Sequence, residues 1–343
     1  MPPFSCRCLT VAKGGGIHRD DAGELFERLC GTENIFLAWN RFRNGKRSRA
    51  DVMRYERHLE ENLFTLQERL QLGAYRHEGY APFVIHDPKE RLIHKATVED
   101  RIVHQAVVNV IESFFEKRFI HHSYSCRLGK GTHAAVRRLR QFLRQASRND
   151  TRSVHVLKCD IRRFFASVDH RKLLELLGRR ISDGRVMQLL ANIVASYAAE
   201  LGKGIPLGNL TSQLFANVYL HELDRFVKFD LREKYYLRYC DDFVIVSADR
   251  SRLTTLLAHL ASFLRDRVKL TLHPNKISIR TWAQGVDFLG YVLLPHCTVL
   301  RTKTVGRMRK RVTTDNLSSY LGLCRHAAAY NLVRHMRNTV RLT

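Results

Sequence analysis

Negative charge is scarce in this chain of 343 residues. Asp and Glu total 33 against 58 Lys and Arg, a formal charge of +25. Such a deficit of acid implies a polyanionic partner, most simply nucleic acid. A soluble basic factor of the ribosomal accessory kind is the plainer alternative. Long apolar runs are lacking as well. No stretch approaches the roughly 20 residues of a membrane span. The opening MPPFSCRCLTVAKGGG has no long apolar core of a signal peptide, so a cytoplasmic location and no membrane partner are expected. Cysteine is thinly spread over eight positions, and no second pair or nearby His joins Cys6 and Cys8 in a zinc spacing. A reduced chain is expected rather than a disulfide scaffold. Internal repeats and regular βαβα alternation are also missing, which leaves α+β as the expected fold class.

What is present supports a large core, with 45% apolar and 27% charged residues. Residues 12–20, AKGGGIHRD, read as a loop. Leu59, Leu63, Leu66 and Leu70 recur at helical spacing, which predicts a helix over 51–72 capped by Asp51. PFVIHD and RLIHKA read as a hairpin joined by DPKE. Helical spacing returns over 98–119 and in the basic segment 132–145, whose alternative is a solvated face. VHVLKCD reads as a buried strand ending at Asp160. A Gly/Pro-rich loop then leads into a helix from about 211, followed by the hairpin YLRYCDDFVIVS, a helix over about 251–267, and strand-like VDFLGYVLLP. The last 40 residues are basic and helical.

Asp241 and Asp242 stand side by side between β-prone runs, where adjacent carboxylates repel and resist burial. If the two strand systems are neighbours in one antiparallel sheet, Asp160 joins them. Hard divalent ions take such oxygen ligands, with Mg²⁺ the usual occupant. Two such ions activate an attacking oxygen and stabilise a leaving one. Taken singly, a strand-end Asp is an ordinary turn residue, and an Asp-Asp pair ordinarily faces solvent.

Over roughly residues 50–330 the chain resembles the reverse transcriptases, with motifs in family order. CDIRRFFASVDH looks like the motif of the first metal-binding aspartate, YCDD like the Tyr-x-Asp-Asp box, and FLGYVL like the primer-grip hairpin of Phe288, Leu289 and Gly290. DPKERLIHKATVEDRIVHQAV and SYSCRLGKGTHAA resemble fingers motifs of group II intron-like enzymes. The resemblance implies a right-hand polymerase: a helical N-terminal extension over 1–80, interleaved fingers and an antiparallel palm over 81–298, and a basic helical thumb over 299–343. It implies Asp160, Asp241 and Asp242 as ligands of two Mg²⁺ ions, with Mn²⁺ as a substitute. Lys276 in HPNKIS falls near the incoming triphosphate as a general acid, or is a surface lysine. Arg91 and Lys95 are candidates for the triphosphate. Phe165 matches the aromatic that excludes a 2′-hydroxyl, or is core packing. Arg137, Arg138, Arg309 and Arg311 would line the nucleic-acid channel. The implied partners are template RNA, primer or cDNA, and dNTPs.

The loop GIPLGNLTSQ carries Leu207 and Gln213 where many relatives have Gln and Pro, with Gly208 between them. That pattern, with the tail SSYLGLCRHAAAYNL, looks like the reverse transcriptases of diversity-generating retroelements. These copy a template RNA with errors at adenines and work with a basic accessory protein. Two rivals stand beside this reading. One is a phage-defence or intron-derived reverse transcriptase, although an intron enzyme is expected to continue into a maturase region. The other is an inactive RNA-binding scaffold, against which three intact acids speak.

Overall fold

The strand HVLKCD alternates between two destinations, and this organises the molecule. The computed structural model describes residues 24–86 and 90–341. The Cys6/Cys8 pair, the loop 12–20 and turn residues 87–89 lie outside the described residues. The elements are α1 (Glu24–Cys30), α2 (Thr32–Arg43), α3 (Ala50–Glu56), α4 (Leu59–Gln71), β1 (Ala81–Ile85), β2 (Arg91–Lys95), α5 (Val98–Glu116) and α6 (Thr132–Ala146). They continue with β3 (His155–Asp160), α7 (Phe164–Ser167), α8 (His170–Gly178), α9 (Gly184–Ala195), α10 (Leu210–Arg225), β4 (Tyr236–Tyr239), β5 (Asp242–Ser247) and α11 (Arg250–Val268). Last come β6 (Ser278–Thr281), β7 (Val286–Phe288), β8 (Tyr291–Leu293), β9 (Thr298–Leu300), α12 (Thr302–Arg311), α13 (Thr314–Cys324) and α14 (Tyr330–Arg341).

The central sheet is antiparallel in the order β4-β5-β3-β6. Successive side chains of a strand point to opposite faces. Leu157, Cys159, Tyr236, Phe243 and Ile245 enter a core shared with helices α1–α5 and α8–α11. Val156, Leu237, Val244 and Val246 enter a second core with α6, the three-stranded sheet β7-β8-β9 and helices α12–α14. A sheet covered on both faces needs apolar residues at every position, so its strands read as continuous apolar runs. The hairpin β1-β2 stands apart as a two-stranded sheet, with Phe83, Val84 and Leu92 exposed. This is an α+β architecture.

One expected element differs. The helix over 51–72 is two helices, α3 and α4, broken at Arg57 and His58. Asp51 caps neither of them. Arg49 is the N-cap of α3 and makes no side-chain cap bond. Asp51 instead turns outward to Lys95 at 2.8 Å and Arg101 at 2.6 Å. Two cations hold a carboxylate more strongly than backbone N–H groups do, and they keep Asp51 down to about 2 against the opposing effect of burial. The segment VDFLGYVLLP is two strands, β7 and β8, paired as the hairpin expected at FLGYVL. Leu289 and Gly290 form the turn between them with φ of 50° and 89°, the left-handed pair that suits a two-residue hairpin.

Candidate active site

The last residue of β3 and the first of β5 are Asp160 and Asp242, and the register sets them directly opposite each other. Asp241 occupies the turn between β4 and β5. The turn is closed by the Ile161 N–H, which donates to the Asp241 carbonyl at 3.3 Å. Asp160 is 7% exposed and the other two are half-buried. Burial, then the Asp160 charge, push Asp241 above the ordinary carboxylate range. Asp242 is pushed up to about 6, chiefly by burial, with Asp160 and Asp241 adding to it and Lys158 opposing. Lys276 Nζ lies 2.8 Å from Asp160 Oδ1. One ammonium therefore balances part of a carboxylate cluster that carries excess negative charge.

Among the described residues no group of three or more His, Cys, Asp or Glu side chains is placed to hold a metal ion by itself. The donor set nevertheless fits a hard cation. It is all oxygen, its charge is under-compensated, and it opens to solvent. Mg²⁺ characteristically keeps waters and binds through one or two carboxylates plus substrate phosphates.

The turn is held from behind by Arg238, which is fully buried. All five of its N–H donors are used. They reach both oxygens of Asp224 at 2.8 and 2.7 Å, Asn217 Oδ1 at 3.2 Å, Ser123 Oγ at 3.0 Å and the Cys240 carbonyl at 3.1 Å. Cys240 sits in left-handed backbone at φ 54°, a conformation that costs a non-glycine residue about 1–2 kcal/mol. A bond to its carbonyl helps hold that conformation immediately before Asp241. The sequence analysis missed this residue. Its signal was present, since an arginine inside the apolar run YLRYC requires a buried partner.

The loop before α10 is stitched to the fingers hairpin. The His94 N–H donates to the Leu207 carbonyl at 3.2 Å, and Asn209 Nδ2 donates to the His94 carbonyl at 3.4 Å. Gly208 has φ 105°, and a Cβ there would meet Ile93 Cγ2 at 2.8 Å. Both backbone conformation and space therefore demand glycine. Leu207 and Gln213 are half-buried. Of the two aromatics in RRFFAS, Phe164 is 2% exposed and packs against Tyr219. Phe165 is half-buried, and its carbonyl accepts from the Ile205 N–H at 2.7 Å, which ties it to the same loop.

The remaining candidates divide. Arg91 is exposed at the start of β2. Lys95, expected beside the triphosphate, is engaged with Asp51 instead. Phe288 is fully buried, while Leu289 and Gly290 form the hairpin turn. Arg137 and Arg309 are exposed, and Arg138 is half-buried over the Phe142 ring at 5.9 Å. Arg311 is exposed on the last turn of α12.

The family profile described as reverse transcriptase (RNA-dependent DNA polymerase) matches residues 86–293. The chain belongs to this family. That span contains β2 of the hairpin, the carboxylate sheet and the β7-β8 turn. Protein YkfC of Escherichia coli K12 is 28% identical over 239 residues, covering 57% of this chain and 61% of that protein. The group II intron-encoded protein LtrA of Lactococcus lactis is 23% identical over 338 residues, covering 77% of this chain and 55% of that protein. The chain thus spans little more than half the length of these curated relatives. Among solved structures, telomerase from Candida albicans, in complex with a fragment of telomeric RNA, superposes with a TM-score of 0.53 at 10% identity. It covers 78% of this chain and 57% of that one. Apo telomerase from Candida tropicalis, truncated from its C-terminal domain, gives 0.51 at 10% identity, over 71% and 60%. At such identity the likeness concerns the fold, which is the right-hand polymerase fold. Members of the family normally use divalent metal ions.

Proposed function

We propose that the chain is an RNA-directed DNA polymerase that extends a primer along a template RNA with dNTPs, making frequent errors at template adenines. The observation that carries the polymerase reading is Asp160 opposite Asp242 across β3 and β5, with Asp241 at the adjoining turn. The carboxylates of Asp160, Asp241 and Asp242 would hold two Mg²⁺ ions, or Mn²⁺ in their place. Bound there, such ions supply activation of the primer 3′-hydroxyl and stabilisation of the leaving pyrophosphate. Lys276, which lies 2.8 Å from Asp160 Oδ1, would pair with the triphosphate and supply the proton that pyrophosphate needs on leaving. Arg91 neutralises phosphate charge from the hairpin. Phe165 forms the wall under the sugar, and Leu207, Gly208 and Gln213 flank the nascent pair. The turn of Phe288, Leu289 and Gly290 grips the primer, and Arg137, Arg138, Arg309 and Arg311 track nucleic-acid backbone.

The adenine-error reading rests on Leu207, whose side chain only packs where a Gln would bond directionally. It implies a diversity-generating retroelement, with a basic accessory protein as partner. Primer extension on a defined RNA with added Mg²⁺ tests the core of the proposal. Wild-type protein should make cDNA, and Asp241→Asn should lower the rate by about 10²-fold or more while keeping the fold. No extension by the wild type, or full activity in the mutant, overturns it.

A further inference from the structure

At the edge of the palm, away from the carboxylates, a cationic cluster is built around one tyrosine. The segment after α5 runs beside β4. Arg238 N–H donates to the His122 carbonyl at 2.9 Å, and Tyr124 N–H donates to the Arg238 carbonyl at 2.9 Å. This places the segment about three residues, or about 10 Å, from the turn that carries Asp241. Tyr124 is 3% exposed. Its hydroxyl lies 3.2 Å from His122 Nδ1, and the Arg138 guanidinium is near enough to oppose the upward push of burial on the phenol. Lys130 Nζ sits 5.3 Å over the Tyr124 ring and 3.4 Å from the His121 imidazole. His122 packs edge-on against Phe142 at 4.9 Å. Lys228 approaches from the turn after α10, fixed by the Glu233 carbonyl at 2.7 Å.

Like charges gathered this closely repel, and among the described residues the acids that face them are already paired elsewhere. Two acids reach toward the cluster, Glu116 toward Lys130 and Glu233 toward Lys228. Glu116 is already gripped by Arg127 at 2.7–3.0 Å and Glu233 by Arg252 at 2.7 Å. The positive potential shows in the imidazoles. His122 is pushed down to about 4 by burial, then by Arg138, His121, Lys228 and Lys130. His121 is lowered by burial, then by Lys130, Arg138 and Arg127.

We propose that Tyr124, His122, Lys130 and Arg138 form a preorganised phosphate-binding site on the palm edge, separate from the catalytic carboxylates. The group it takes is a phosphate oxyanion, carried either by a nucleic-acid backbone or by free phosphate. The observations favour the backbone, because the site lies about three nucleotide rises of ~3.4 Å from the carboxylate turn. The choice of an RNA or cDNA strand as carrier rests on the polymerase reading, whereas the site rests on its own geometry.

The decisive variant is Tyr124→Phe, which removes the hydroxyl that orients His122 and Arg138 and changes no charge. Binding of a single-stranded RNA oligonucleotide without primer should weaken by about five-fold, the size of one hydrogen bond. Lys130→Glu should weaken it more than Arg57→Glu on a remote surface. In parallel, inorganic phosphate is titrated while the imidazole NMR signals of His121 and His122 are followed. Movement of these signals in the wild type, and less in Tyr124→Phe, supports the site even for a protein that makes no cDNA. If phosphate moves the signals while RNA binding ignores Tyr124→Phe, the source is free phosphate. If neither readout responds to Tyr124→Phe, and Lys130→Glu acts no more strongly than Arg57→Glu, the cluster is diffuse positive charge and the proposal fails.

Discussion

A single half-buried carboxylate, Asp242, makes the stability of the molecule depend on pH. Asp242 has a folded value of about 6, above its ordinary range, so its protonated form is the one the empty fold prefers. Stability from this group is fully present below about pH 4 and is lost as pH rises through about 6. Thermal melts in chelator should therefore show Tm falling from pH 5 to 7, and Asp242→Asn should flatten that fall. Added Mg²⁺ needs the ionised carboxylate, so its stabilising effect should grow over the same interval. At the same scale, the proposed place of Leu207 beside the nascent pair would give that pair no directional bond. Leu207→Gln should lower misincorporation opposite adenine by about tenfold, which is about 1.4 kcal/mol of discrimination. Sequencing cDNA by template base reads this directly, and low error at all four bases in the wild type removes the retroelement subtype. The carboxylates were legible because their charges conflict with the apolar strands around them. Arg238 carries the same conflict with the opposite sign and was passed over, since its partners come from two other segments, Asn217 and Asp224 from α10 and Ser123 from the stretch after α5.

At the scale of elements, the loop 205–209 and the hairpin β1-β2 behave as one unit. Gly208→Ala places a methyl 2.8 Å from Ile93 and forces a strained φ. Ile93→Ala in the same chain removes the collision but not the strain. Dropping Tm in Gly208→Ala, with partial recovery in the double mutant, is expected. So is a rise in KM for dNTPs that follows the same order, measured by steady-state extension. Periodicity marked most helices and strands correctly, because both cores impose clean patterns on them. It joined α3 to α4 across Arg57 and His58, since the leucine spacing continues through the break. Asp51 was misassigned as a cap for a related reason. Its cations, Lys95 and Arg101, lie 44 and 50 positions along the chain, and no local window contains them.

At the scale of the whole molecule, the excess of positive charge should appear as salt-sensitive binding. Each phosphate contact contributes about −0.7 to −0.9 to the slope of log affinity against log salt. Charge reversal at Arg309 and Arg311 should shallow that slope, as read by filter binding across a salt series. An unchanged slope would assign this helix face to a protein partner or to solvent. Family and fold were legible at this scale because ordered motifs accumulate along the chain.

The central strand of the palm has its own history during synthesis. β3 is complete at residue 160, yet its partners β5 and β6 end at residues 247 and 281. At roughly 5–20 residues per second on the ribosome, both flanks of β3 wait on the order of seconds to tens of seconds for a mate. An apolar strand with two open edges is a template for pairing with other chains. The order of strands that later gathers the acids into one place thus makes the nascent chain a client for chaperones. It also delays assembly of the acid cluster until the ribosome has passed β5.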